Sequence, residues 1–196
     1  MLKAGRGRQD ACWNPDAEFA TNAIQPGALN SIDWTMLKGF ISYAHDDHVA
    51  FSELKTHLRA VERAFKIDFW ADKRVGAGNY WSAKIADAIK AARIHILMFS
   101  PAFLASDYIF DHELPAINDT CAGGDLILPV VVKRCAWSAF AGVLQAAPIE
   151  RGGRLVPLLD WQPRRNGYDA AREQIWSSIA AQFGAPTHSP FPWGKP

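Results

Sequence analysis

The segment LKGFISYAHDD, residues 37–47, carries the main signal for the fold of this chain. Its aromatic and β-branched residues favour extended backbone, and the run then stops in small and polar residues. It is therefore predicted to be a buried strand that leads into a loop, with Asp46 and Asp47 capping the next helix. A first strand followed directly by a helix indicates a parallel α/β sheet. In such sheets ligands bind beyond the carboxyl ends of the strands, so residues 42–47 are a candidate functional region.

Composition narrows the class of protein. The 196 residues are enough for one domain of about 150 residues with tails. No run approaches the roughly 20 apolar residues of a membrane span, so a soluble chain is expected. A net charge of +1 gives no electrostatic case for binding nucleic acid or membranes. Three cysteines without CxxC spacing argue against a disulfide framework or a zinc site and fit a reducing cytoplasm.

Sequence patterns typical of strands and of helices alternate after the first strand. Short apolar runs predict four further strands, at residues 65–70, 94–99, 126–132 and 155–159. Apolar residues at helical spacing predict the intervening helices, over residues 49–65, 81–92, from Asp107 onward and over 170–183. Asp107 is predicted to cap the third of these helices, and Pro115 to kink or shorten it.

Strict alternation of strand and helix predicts five parallel strands in the order 2-1-3-4-5 with helices on both faces of the sheet. This domain is expected to span residues 36–184. Residues 1–35 show no sustained periodicity and are predicted to be an N-terminal arm. Residues 185–196 are rich in proline and are predicted to be a tail or linker.

Several motifs, in order along the chain, resemble the Toll/interleukin-1 receptor (TIR) domain family, in particular its bacterial branch. Together they cover roughly residues 37–183. The motifs are Gly39-Phe40-Ile41-Ser42-Tyr43-Ala44-His45, the loop Asp72 to Trp81, Ser100 to Tyr108, Glu113-Leu114-Pro115, Leu128-Pro129-Val130-Val131 and Cys135-Ala136-Trp137.

The resemblance implies a flavodoxin-like three-layer sandwich, self-association, and cleavage of NAD+ at the nicotinamide–ribose bond. NAD+ is then a substrate, and neither a cofactor nor a metal is expected. By position the family's catalytic glutamate is Glu113, although a single glutamate on a helix is more often a solvated surface residue. The candidate residues for binding NAD+ are Tyr43, His45, Asp72, Lys73, Arg74, Gly78, Trp81, Tyr108 and Ile109.

One departure from the family concerns the aromatic residue expected to stack on the nicotinamide. Many active members have tryptophan four residues before the glutamate, where this chain has Ile109. Tyr108, Tyr43 and Trp81 are the alternatives. Tyr43 is preferred because it ends the central strand, whereas Tyr108 lies about 100° around a regular helix from position 109.

Two functions remain open at this stage. The first is an NAD+ glycohydrolase acting in bacterial immune defence or signalling in the cytoplasm, favoured by Glu113. The second is a non-catalytic TIR scaffold that binds other TIR domains, favoured by Ile109. Either would act as a homo-oligomer, with an attached or associated sensor module as a possible partner.

Overall fold

The structure is a computed structural model that describes residues 37–71, 79–121, 123–137, 149–150 and 154–186. The predicted arm at residues 1–35 lies outside these ranges, as does all but the first part of the predicted tail. The domain boundaries therefore stay predictions.

Four parallel strands form the central sheet in the order β2-β1-β3-β4, which confirms the predicted order for these four. Both β3 and β4 are buried along their whole length, as expected for strands covered on both faces. The strands are β1 (Leu37–Tyr43), β2 (Ile67–Ala71), β3 (Ile94–Phe99) and β4 (Leu126–Val131).

Helices cover both faces of this sheet. On one face α1 and α5 pack over a core that includes Ile41, and on the other face α2 and α4 pack over a core that includes Phe40. No helix in the described ranges is both long and apolar enough to cross a bilayer. The helices are α1 (His48–Phe65), α2 (Asn79–Ala91), α3 (Pro101–Leu104), α4 (Leu114–Cys121) and α5 (Arg164–Phe183).

The segment predicted to be a fifth parallel strand, residues 155–159, has a different structure. Its first residue belongs to β6 (Arg154–Leu155), which pairs antiparallel with β5 (Ile149–Glu150), and Leu158–Asp160 is a turn of 3-10 helix. Pro157 has no N–H to donate to a ladder, which disfavours a strand at this point. A fifth strand of the parallel sheet is therefore not present among the described residues.

Both predicted acidic caps are wrong in detail. Asp47 occupies the N-cap position of α1, but its side chain makes no capping hydrogen bond. Ahead of α4, the Ser106 hydroxyl accepts from the backbone N–H of Ile109 at 3.4 Å, while Asp107 is already helical. Serine and aspartate are both good caps, so sequence alone did not decide between neighbours.

His95 is a fully buried titratable group on β3. Its Nε2 atom lies 3.2 Å from the Thr120 hydroxyl and 3.7 Å from a carboxylate oxygen of Asp125. Burial lowers the pKa of His95 below its ordinary value of 6.5, and the nearby Asp125 charge offsets only part of this effect.

His95 is predicted to link stability to pH. Because its pKa is lower in the folded chain, the unfolded chain binds the proton first as the pH falls. The contribution of neutral His95 to the free energy of unfolding should therefore be complete above about pH 6.5 and decrease as the pH falls below that value. Urea titrations across this range should show a shallower decrease for His95→Gln, whereas the exposed His112→Gln should match the parent. Equal slopes for His95→Gln and the parent would contradict the prediction.

Candidate active site at the carboxyl edge of the sheet

A buried hydrogen bond joins the end of β1 to Glu113, the residue directly before α4. The Ser42 hydroxyl donates to Oε2 of Glu113 at 2.5 Å. Ser42 is 2% exposed and Glu113 is 3% exposed, so water screens the carboxylate little. Ser42 is the next-to-last residue of β1, which places the pair at the carboxyl edge of the sheet.

Strand alternation explains why Ser42 meets Glu113. Successive side chains of β1 point to opposite faces of the sheet. Phe40 and Ala44 belong to the core under α2 and α4, so Ser42, which lies between them, points the same way. Ser42 lies in the candidate region predicted from the sequence, where no role was predicted for it. A serine inside a run of buried strand residues was the signal available for it.

A wide helical turn carries Glu113. Residues Ile109–Glu113 form a turn of π-helix, in which the N–H of Leu114 donates to the carbonyl of Ile109, five residues back. Single π-turns inside α-helices occur frequently at functional sites. Glu113 is therefore not the solvated surface glutamate that a helix position alone would suggest.

Tyr43, the preferred aromatic platform, lies on the other face of the sheet from Ser42. Its ring stacks on Phe51 of α1, with centroids 4.2 Å apart and planes 6° apart. It packs against the core formed with α1 and α5. The fold therefore does not bring the Tyr43 ring to the Glu113 side.

Two other aromatic side chains lie on the Glu113 side. Tyr108 is half-buried, and its ring centroid is 5.0 Å from that of His112. Trp70 at the end of β2 is also half-buried and stacks on Phe40, its register partner on β1, at 5.7 Å. Trp70 was not predicted because strand register is not readable from the sequence.

Ile109 occupies a core position. It is fully buried in the same cluster as Phe40 and Ala44. It therefore presents no surface to a ligand in this structure. The remaining aromatic candidate, Trp81, lies in the first turn of α2, where only the backbone is described.

Of the other predicted binding residues, the structure describes only His45. His45 is exposed, and its ring lies 5.9 Å from the His48 ring. Four more lie outside the described ranges, and their roles stay predictions: Asp72, Lys73, Arg74 and Gly78. Among the residues that the structure describes, no cluster of three or more potential ligands is placed to hold a metal ion.

A second buried polar cluster lies at the same edge. The Asp47 carboxylate accepts hydrogen bonds from the hydroxyl of Ser100 and from Nζ of Lys133, the latter at 2.7 Å. Ser100 follows β3 and also caps α3 by accepting from the N–H of Phe103 at 3.0 Å. The cluster therefore ties together the loops after β1, β3 and β4.

A cavity of about 300 Å³ lies beyond the end of β4. Burial raises the pKa of the Cys135 thiol, which leaves less thiolate and argues against a nucleophilic cysteine. The cavity is lined by Arg134, Cys135, Trp137, Leu155, Val156 and Pro157.

The sequence profile described as TIR domain matches residues 40–175. The chain belongs to the TIR domain family. Both partners of the Ser42–Glu113 hydrogen bond and the Asp47 cluster lie inside the matched segment. The family prediction from the sequence motifs is confirmed.

A relative of this TIR chain is an uncharacterized protein, y4lF, from Sinorhizobium fredii (strain NBRC 101917 / NGR234). The two are 34% identical over 124 residues, which is 62% of this chain and 37% of the relative. The chain thus spans little more than a third of that relative's length. The relative's description names no activity.

The Asp47 cluster is predicted to stabilise the fold. Asp47→Ala removes the acceptor of two hydrogen bonds and leaves the buried Ser100 hydroxyl without it, so the free energy of unfolding should fall by about 2 kcal/mol. The adjacent exposed Asp46→Ala is the control and should change it by less than about 0.5 kcal/mol. Chemical denaturation measures both, and equal effects would show that the cluster does not stabilise the domain.

Proposed function

We propose that this TIR domain hydrolyses NAD+ at the nicotinamide–ribose bond, giving nicotinamide and ADP-ribose or a cyclic ADP-ribose isomer. The observation that carries the proposal is the buried Glu113 carboxylate, held by Ser42 at the sheet edge where α/β proteins bind ligands. Membership of the TIR family adds support. A cytoplasmic role in bacterial immune defence or signalling belongs to the same proposal.

The bond to be cleaved needs little acid catalysis. Nicotinamide is attached to ribose as a cationic pyridinium, so when the C1′–N bond breaks, its electron pair goes to nitrogen and a neutral base leaves. The ribose becomes an oxocarbenium ion. Water then adds to C1′ and loses a proton, which gives ADP-ribose. Glycosidases that expel an oxygen leaving group need a second carboxyl group as acid, and this reaction does not.

The role of Glu113 is electrostatic and orienting. Ser42 fixes one oxygen of the carboxylate. A carboxylate accepts about four hydrogen bonds, and a ribose hydroxyl of bound NAD+ would be one of the donors. Its negative charge would stabilise the positive charge that develops on the ribose ring. Because the carboxylate is buried and already held, little reorganisation is needed in the transition state.

A scaffold that only assembles with other TIR domains is the second candidate. The 3% exposure of Glu113 favours it, since a buried carboxylate tied to Ser42 also serves as a structural link between helix and strand. The two candidate functions predict different effects of removing the negative charge of Glu113. A structural link retains its geometry with glutamine, whereas catalysis needs the charge.

The test is nicotinamide release from NAD+ by the Glu113→Gln variant. Glutamine keeps a carbonyl acceptor for Ser42 and removes the charge, so the fold should persist while kcat falls at least about 100-fold. Asp119→Asn, an exposed acidic residue two turns further along the same helix, is the control and should match the parent. Unchanged turnover in Glu113→Gln would refute the catalytic role of Glu113, whereas a parent that releases no nicotinamide would favour the scaffold.

Self-association can be tested with the same nicotinamide-release assay. We propose that the domain works as a homo-oligomer through TIR–TIR contacts, as the family membership suggests, with a sensor module attached or associated. Specific activity of the parent should then rise with protein concentration over about a hundredfold range. Activity strictly proportional to enzyme concentration would argue for a complete site in each monomer.

Tyr108 is the aromatic platform that the geometry now favours. Tyr108 packs against the same core cluster as Phe40 and Ala44, the face of the sheet to which Ser42 points. A ring against a pyridinium contributes about 0.5 to 2 kcal/mol, so Tyr108→Ala should raise the KM for NAD+ by about three- to thirtyfold. Tyr43→Ala should raise it less. The opposite ranking, in steady-state kinetics of the folded variants, would restore Tyr43 as the platform.

A further inference from the structure

The π-turn that carries Glu113 is followed immediately by a proline. The sequence from the end of the turn reads Glu113-Leu114-Pro115, and Leu114 N–H bonds to a carbonyl five residues back in place of four. Pro115 is exposed on the helix, so packing of its ring into a core does not explain its presence.

Proline is incompatible with a regular α-helix at this position. An α-helix would need the N–H of residue 115 to bond to the carbonyl of Asp111. Pro115 has no N–H, and its ring would collide with that carbonyl. The residues affected by this collision are the residues that form the π-turn. A wider turn relieves the collision because it moves the carbonyl away from the ring.

The wider turn also decides where Glu113 points. Ile109, Glu113 and Ile117 are spaced four residues apart, and all three are buried. In a regular α-helix each step of four turns about 40° past a full revolution, so three such residues drift around the helix. The under-wound π-turn takes up part of this drift. Glu113 therefore faces the sheet together with the two isoleucines.

We propose that Pro115 is a positioning residue for Glu113. By excluding the α-helical hydrogen bond, Pro115 produces the π-turn, and the π-turn holds the Glu113 carboxylate at hydrogen-bond distance from Ser42. The consequence for turnover rests on the proposed function. The consequence for helix geometry does not.

The test compares Pro115→Ala with Pro101→Ala. Alanine at position 115 restores the N–H, so the crystal structure of this variant should show Leu114 N–H bonded to the Phe110 carbonyl and the Ser42–Glu113 hydrogen bond lost. Pro101 is also exposed but lies in the first turn of α3, where a missing N–H costs nothing, so Pro101→Ala is the matched control.

Kinetics give the second measurement. A displacement of about 1 Å can cost about 100-fold in rate, so kcat of Pro115→Ala should fall at least about tenfold, with a much smaller change in KM. In the Pro115→Ala background, Ser42→Ala should cause no further loss, since the contact it removes is already gone. In the parent, and in Pro101→Ala, Ser42→Ala should lower kcat.

The outcomes separate this proposal from the proposed function. A Pro115→Ala structure that keeps the π-turn and the Ser42–Glu113 hydrogen bond overturns the proposal, whatever the activity. A straightened helix with unchanged kcat in an active protein overturns it as well. If the parent releases no nicotinamide, the proposed function fails, and the positional claim is decided by the structures alone. Pro115→Ser serves as a second variant if the alanine variant does not fold.

Discussion

The hydrogen bond between Ser42 and Glu113 is the interaction on which the candidate site depends. It crosses from the end of the central strand to the helical layer and holds a buried carboxylate. Such a bond forms only if Ser42 points to the face of the sheet that α2 and α4 cover. The helical segment must also place Glu113 level with Ser42 along the strand. The strand meets the first condition by alternation, and the π-turn meets the second.

The chain order of elements was readable from the sequence because each element carries its own periodicity. The unbroken apolar run of β3 indicated cover on both faces, and the four-residue steps of α1 indicated one buried stripe. The fifth strand failed where the apolar run is weak and contains Pro157, which has no N–H to donate to a ladder. The cap at Asp107 failed because its neighbour Ser106 caps equally well, and the cap at Asp47 failed because its carboxylate has other partners. The Asp47 carboxylate bonds to Ser100 and Lys133, both distant in sequence.

The candidate site was predictable in part. Glu113 was identified from motif order, but its partner was not, since pairing between residues 42 and 113 depends on how α4 packs on the sheet. Alternation along β1 does imply that Ser42 and Tyr43 face opposite sides. Only the packed structure shows which side holds Glu113, and it thereby favours Tyr108 over Tyr43. Pro115 was predicted to kink or shorten the helix, and the helix instead continues after a wider turn at Ile109–Glu113.

Catalysis by Glu113 requires its carboxylate to contact the nicotinamide-bearing ribose of NAD+. A crystal structure with an NAD+ analogue whose ribose ring oxygen is replaced by carbon, and which is therefore not cleaved, tests it most directly. A hydroxyl of that sugar should lie within about 3 Å of a Glu113 carboxylate oxygen, with the nicotinamide ring beside Tyr108. An analogue bound elsewhere, with Glu113 still covered and contacting only protein, would contradict it.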